Sequence, residues 1–163
     1  MKRIFKFFVF IVLAFLILFF NPVSARIITL AAAHYYGLNA HYFYRMIRAE
    51  SSFMPWAKSK RNAYGLGQIQ PRTARYMEPD CRTFYLWFPI TNLRISAKYV
   101  NYLLKKYNGN MSVALAAYNW GETNVDRKVK NMTLQKNKNY IELFNDIPET
   151  RNFINKIMNE KSD

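Results

Sequence analysis

Apolar residues along this chain recur mostly at intervals of three and four, the spacing of one helix face, and seldom alternate as a half-buried strand requires. The exception is the start, where "FFVFIVLAFLILFF", Phe7 to Phe20, runs for 14 residues without a polar side chain. Beyond it the pattern predicts a helix from Ile27 to about Tyr36, stopped by Gly37, and a second from Asn39 as cap to Ser52, with Pro55 beyond its end. The segment "KSKRNAYGLGQIQPRTARYM" holds Gly65, Gly67 and Pro71 and reads as a loop entering a third helix near Arg72. Leu93, Ala97, Val100, Leu104 and Tyr107 predict a long helix with Thr91 as cap and Asn108-Gly109 as stop. In "SVALAAYNWGE", Ala114, Ala116 and Ala117 leave room for a neighbouring helix, and Gly121 should end the segment. Arg127 to Asn139 reads as a Lys-rich loop, Asp146 as a cap, and Pro148 to about Met158 as the last helix. With weak strand signals and no internal repeat, the expected fold class is mainly α, one compact helical domain.

The apolar run changes how the first residues are read. Lys2, Arg3 and Lys6 precede it and Val23-Ser24-Ala25 follows, an order that matches a secretory leader better than a spanning helix, which needs about 20 apolar residues. Residues 1–25 are therefore expected to be a leader and residues 26–163 the working domain, exported to the periplasm or cell envelope. Retention of residues 7–20 as an inner-membrane tether is the alternative. The whole chain has 163 residues and a formal charge of +14; residues 1–25 hold three of its 24 basic residues and none of its 10 acids, which leaves +11 without them. Such a surplus favours an anionic partner, and export sets nucleic acid aside in favour of lipid or wall polymer. Cys81 is the only cysteine, so no disulfide can form within the chain.

In "FYRMIRAESSF" the wheel places Phe43, Met46, Ile47 and Glu50 within about 100°, so Glu50 points where the apolar residues point. Arg45 and Arg48 lie about 140° and 160° away and pair with it poorly within the helix. A carboxylate in apolar surroundings has its charged form disfavoured, and its raised pKa is what a general acid needs. Periodicity alone leaves a structural ion pair open.

Three strings then follow in order, "AESSFMPWA", "AYGLGQIQPRTA" and "ALAAYNWGETNV", with "IPETRNFINKI" near the end. Together they resemble the soluble lytic transglycosylases of bacterial walls, a family with a lysozyme-like helical fold, over about Ile27 to Met158. The resemblance implies that Glu50 is the catalytic acid, with Ser51 orienting it or the substrate. It also implies that Gln68 bonds the sugar near the cut, with Gln70, Tyr118 and Asn119 lining the same groove. Gly67 stands where the family usually has Met, Gln70 where it often has Met, and Phe153 where it usually has Tyr; the first puts the rigidity of the loop at Gln68 in doubt.

Glycoside hydrolysis ordinarily needs two carboxylates. Between Ser51 and Leu93 only Glu78 and Asp80 are present, in a Pro-broken loop, and Glu122 follows Gly121 with exposure as its expected fate. A single-acid route fits this shortage, and the resemblance supplies it. Glu50 protonates the oxygen between N-acetylmuramic acid and N-acetylglucosamine, then as a carboxylate deprotonates the muramic C6 hydroxyl, which closes a 1,6-anhydro ring. A hydrolytic muramidase on the same fold, and a wall-binding part of an envelope machine without turnover, are the rival readings. His34 and His41 have no Cys or carboxylate at ligand spacing, so no metal or other cofactor is expected. The expected partner is the peptidoglycan glycan strand, engaged by a monomer. A dedicated role beside a secretion or conjugation apparatus is weighed against general wall turnover.

Overall fold

The computed structural model describes residues 2–159, so Met1 and the last four residues of the expected 26–163 domain lie outside the described residues. Regular structure within them is helical apart from two isolated bridges at Tyr64. The chain divides into two units, Met1–Ile95 and Ser96–Asp163.

In the first unit, α1 (Lys2–Phe19) and α2 (Pro22–Tyr35) are separated by Asn21, whose Oδ1 accepts from the Val23 and Ser24 amides at 2.8 and 3.0 Å. With Pro22 supplying the fixed φ of a first helical position, α2 starts five residues before Ile27. The expected break after Ala25 therefore falls inside a helix, and Ala25 is fully buried. No helix among the described residues is long and apolar enough to cross a membrane. Gly37, at φ 62°, lies just beyond the end of α2, as predicted.

The second predicted helix is α3 (Ala40–Ser51), capped by Asn39, whose Oδ1 accepts from the Tyr42 amide at 3.1 Å. Its apolar stripe is the buried one: Phe43, Met46 and Ile47 are each no more than 2% exposed, and α2 packs against α3. Burial of three such side chains stabilises the fold by about 1.5–3 kcal/mol each. α4 (Pro71–Met77) and a 3-10 turn (Thr83–Trp87) lead to α5 (Pro89–Lys106). Thr91 is not the cap of α5, which begins two residues earlier at Pro89, a residue suited to a first turn.

In the second unit, the rest of α5 is followed by α6 (Met111–Trp120), α7 (Glu122–Val129), a 3-10 turn (Ile141–Phe144) and α8 (Pro148–Met158). The three alanines of α6 are all buried, and the helix packs against α7 and α8. Gly121 stops it at φ 97°.

α7 extends into the stretch expected to be loop from Arg127. Its apolar periodicity is limited to Val125 and Val129, which are both buried, while ion pairs hold its polar side. Lys106 Nζ pairs with Glu122 Oε1 and with Asp126 Oδ2, and the Tyr102 hydroxyl donates to Glu122 at 2.6 Å. Glu122 is therefore a paired structural carboxylate, against the expectation of exposure. The segment after α7 is also ordered by side chains: Asn110 Nδ2 donates to the carbonyls of Gln135 and Lys138, each at 2.7 Å.

Asp146 does not cap α8 either; Ile147 stands at that position, and both Asp146 oxygens accept from Lys128 Nζ at 2.7 Å. The Lys128 hydrogen bond holds the Asp146 carboxyl below its ordinary value. A depressed folded-state pKa gives a contribution present above the unfolded value and lost as pH falls through the folded one, here below about 3.9. Lys128→Ala should therefore flatten part of the acid limb of a melting-temperature profile, leaving the plateau near pH 7 almost in place because the pair is exposed.

Candidate active site

Glu50 occupies the last turn of α3, half-buried on the side of Phe43, Met46 and Ile47. The helix stops at once behind it. Ser52 and Phe53 take left-handed φ values of 53° and 62°, a conformation disfavoured for residues with a Cβ and costing about 1–3 kcal/mol each. The turn is held because the Phe53 ring is 2% exposed, so core burial offsets the strain. Ser51 is buried, and its hydroxyl donates to the Ile47 carbonyl at 3.2 Å. That bond fixes the Ser51 rotamer and leaves its oxygen as the available acceptor.

Gln68 sits in a closed loop. The Tyr64 and Ile69 amides and carbonyls exchange two hydrogen bonds of 3.0 Å, and between them Gly65 and Gln68 turn through φ 69° and 47°. Gln68 Nε2 donates to the carbonyls of Gly65 at 2.9 Å and Ala57 at 3.2 Å, so its orientation is set before any ligand arrives. Gln70 is exposed at the N-terminal edge of α4 and makes no side-chain cap bond.

Sequence reasoning missed what braces this loop. Asn92, fully buried in α5, donates from Nδ2 to the carbonyls of Tyr64 at 2.7 Å and Leu86 at 2.8 Å, and its Oδ1 accepts from the Gly67 amide at 2.8 Å. Gly67 is thus tied down, which removes the doubt its composition raised about the loop. A Cβ on Gly65 would overlap Asn92 and the Leu86 carbonyl. The available signal was Asn92 itself, a polar residue one turn before Ser96 and three positions before Ile95, in a helix where Leu93 and Ile95 are apolar.

In the second unit, Tyr118 and Asn119 lie on the last turn of α6, both half-buried. The Tyr118 ring lies 5.4 Å from that of Tyr99. Asn119 Oδ1 accepts from the hydroxyl of Thr150 at 2.8 Å, and Thr150 is 1% exposed. The "ETR" string near the end therefore supplies a residue that fixes the amide of Asn119, a role that spacing alone could not reveal.

A cavity of about 570 Å³ in the first unit is lined by Glu78, Asp80, Cys81, Tyr85 and Arg94, and by none of the expected site residues. Arg94 bonds Glu78 at 2.8 Å across it, so Glu78 is a structural partner. Burial, and then the nearby Glu78, push the Cys81 thiol up from its ordinary value. Since the thiolate is the reactive form, Cys81 should react with a disulfide reagent at pH 8 roughly tenfold or more slowly in the folded chain than in denaturant.

The soluble lytic murein transglycosylase of Salmonella typhimurium is 36% identical to this chain over 90 residues, 52% of this chain and 14% of that one. The structure of an inactive Glu-to-Gln mutant of lytic transglycosylase Slt from Pseudomonas aeruginosa superimposes with a TM-score of 0.72 at 30% identity, covering 83% of this chain and 23% of that one. The 70 kDa soluble lytic transglycosylase of Escherichia coli gives 0.70 at 24% identity, again over 83% and 23%, and shares the fold. The chain thus spans less than a quarter of each of these proteins. The model of the transglycosylase SLT domain matches residues 28–141, from early α2 through α7 and the ordered segment behind it. Glu50, the braced Gln68 loop and the Tyr118-Asn119 pair all fall within that match, and this chain belongs to the transglycosylase SLT domain family.

Proposed function

We propose that this chain is a peptidoglycan lytic transglycosylase that cuts the β-1,4 bond between N-acetylmuramic acid and N-acetylglucosamine with Glu50 as its only acid and base. The observation that carries this reading is the placement of Glu50, half-buried on an apolar helix face and immediately ahead of a strained turn, in a chain of the SLT family. A general acid must hold its proton before the reaction, and desolvation is what favours that form of a carboxyl.

In the first step Glu50 gives its proton to the glycosidic oxygen as the bond to muramic C1 breaks, and the muramic acetamido oxygen stabilises C1. In the second, the Glu50 carboxylate takes the proton of the C6 hydroxyl while O6 bonds to C1. Glu50 regains its proton, no water is consumed, and the products are a 1,6-anhydromuramic end and a free N-acetylglucosamine 4-hydroxyl.

Ser51, Gln68, Gln70, Tyr118 and Asn119 are the proposed substrate contacts. Because the Gln68 amide nitrogen is committed to two backbone carbonyls, its Oε1 is the end that accepts from a sugar hydroxyl. Asn119, whose oxygen is taken by Thr150, offers its amide N–H groups. Hydrolysis by water ordinarily uses a second carboxylate, and the better rival for that role, Glu122, is engaged by Tyr102 and Lys106.

Residues 1–25 would carry the chain to the envelope, where its relatives' murein lies, and their apolar helix would tether it if retained. Digestion of wall sacculi by the purified chain tests the reading: 1,6-anhydro ends by mass spectrometry are expected, and reducing ends would overturn it in favour of hydrolysis.

A further inference from the structure

A short turn joins the helix end that carries Glu50 to the loop that carries Gln68, and it holds an indole in solvent. The Met54 amide donates to the Ser51 carbonyl at 3.0 Å, and the Ala57 amide donates to the Met54 carbonyl at 3.1 Å. The Ala57 carbonyl in turn accepts from the Gly65 amide at 2.8 Å and from Gln68 Nε2 at 3.2 Å. Just beyond, Lys58 bridges to Tyr64, and the Ser59 amide donates to the Ala63 carbonyl at 3.0 Å. Backbone bonds therefore fix the turn at both ends, one end beside Ser51 and the other against Gln68.

Burial alternates along this turn. Phe53 and Pro55 are buried, whereas Met54 is 43% and Trp56 55% exposed. Of the three tryptophans, Trp87 and Trp120 are half-buried against the rings of Tyr64 and Phe144, and Trp56 is the exposed one. The turn is anchored by Phe53, Pro55 and its backbone bonds, so the fold draws little on the indole. A single exposed aromatic is ordinary in itself; its place distinguishes this one. The Trp56 Cα is about 3.8 Å from that of Ala57, the residue whose carbonyl aims Gln68.

We propose that Trp56 is a stacking platform for one N-acetylhexosamine ring of the glycan strand, which extends the groove past the contacts already assigned to it. The assignment rests on the transglycosylase reading above, because it takes its ligand from that substrate. A β-1,4-linked N-acetylhexosamine carries its ring substituents equatorially, so each face of the ring presents axial C–H groups. Such a face packs on an indole without stranding a hydroxyl away from water. A flat side chain with two rotatable bonds, on a turn already pinned, loses little freedom when it is covered. Met54 beside it offers a flexible, polarisable edge. Trp56 supplies no titratable group; it holds a non-reacting part of the substrate, whose binding energy helps to position the bond that is cut.

Titration of the full chain with tetra-N-acetylchitotetraose, followed by calorimetry and tryptophan fluorescence, tests this, with Glu50→Gln as the background so that nothing is cut. On that background Trp56→Ala should bind about tenfold more weakly and lose the blue shift of emission that covering an exposed indole produces. Trp56→Phe, which keeps a ring, should lose less than about threefold. With Glu50 in place, Trp56→Ala should lower kcat/KM on sacculi by a similar factor and leave the shape of its pH profile unchanged. Thermal melts should also be unchanged, because the side chain is exposed. Equal affinity with and without Trp56, including no measurable binding by either chain, would overturn the proposal. So would a loss of self-association by sedimentation with glycan binding unaltered, which would assign the indole to a second copy of the chain. Sacculus digestion separates this from the enzymatic reading. Tetrasaccharide binding lost with Trp56, but no anhydro ends from the original chain, sinks the enzyme and keeps the platform; anhydro ends released equally by Trp56→Ala sink the platform and keep the enzyme.

Discussion

Glu50→Gln should abolish release of 1,6-anhydromuropeptides from sacculi, by about 10³-fold or more, while leaving the fold intact. Both proton transfers pass through this one carboxyl, and each is of a kind worth about 10²–10⁴-fold. The amide matches the shape of the acid but can neither donate the proton at neutral pH nor accept it back. A Glu-to-Gln exchange is also what distinguishes the inactive Pseudomonas mutant. Stability should change by less than about 1 kcal/mol or rise, because a partly buried carboxylate is costly to desolvate and its replacement keeps the volume. Thermal melts and product mass spectra on one preparation decide the matter. If the variant still forms anhydro ends, the proton is moved by another group and the assignment of Glu50 is wrong.

Asn92→Ala should lower the stability of the fold by about 3–5 kcal/mol, far more than Glu50→Gln. The substitution removes the acceptor of the Gly67 amide and the donor to the carbonyls of Tyr64 and Leu86, of which Tyr64 keeps the Ile69 amide. An unmet buried polar group costs about 1–3 kcal/mol, and the small void left by the side chain adds to it. The change also frees the loop that aims Gln68, so kcat/KM on sacculi should fall even at temperatures where the variant is fully folded. Asn92→Asp should not rescue it: the carboxylate can still accept from Gly67 but turns an acceptor toward two carbonyls. A denaturant midpoint showing a loss under about 1 kcal/mol would mean that water replaces the amide and that the loop is held by its own backbone bonds.

The periodicity of the chain anticipates most helices and the face each one buries. Asn39, Gly37 and Gly121 can be identified as boundaries because capping and left-handed turns are local matters, decided within three or four residues. Where local signals compete, they mislead. Thr91 looks like a cap yet lies inside α5, and Asp146 looks like a cap yet is taken by Lys128. α7 reads in part as loop because its polar side is stabilised by Lys106, a residue 16 positions before Glu122. Such partners carry no signature in a short window.

The sequence by itself determined that the fold is helical, that Glu50 lies on an apolar stripe, and, through four ordered strings, which family the chain joins. Each of these follows from helical geometry or from residue identity at fixed spacing. Only the tertiary structure decided how the expected contacts are held: the bracing of Gln68 and Gly67 by Asn92, the fixing of Asn119 by Thr150, and the commitment of Glu122 to Tyr102 and Lys106. The reason is physical. A buried amide, hydroxyl or carboxylate takes its partner wherever the fold brings one within about 3 Å, and sequence separations of 16 to 31 residues between these partners are set by packing.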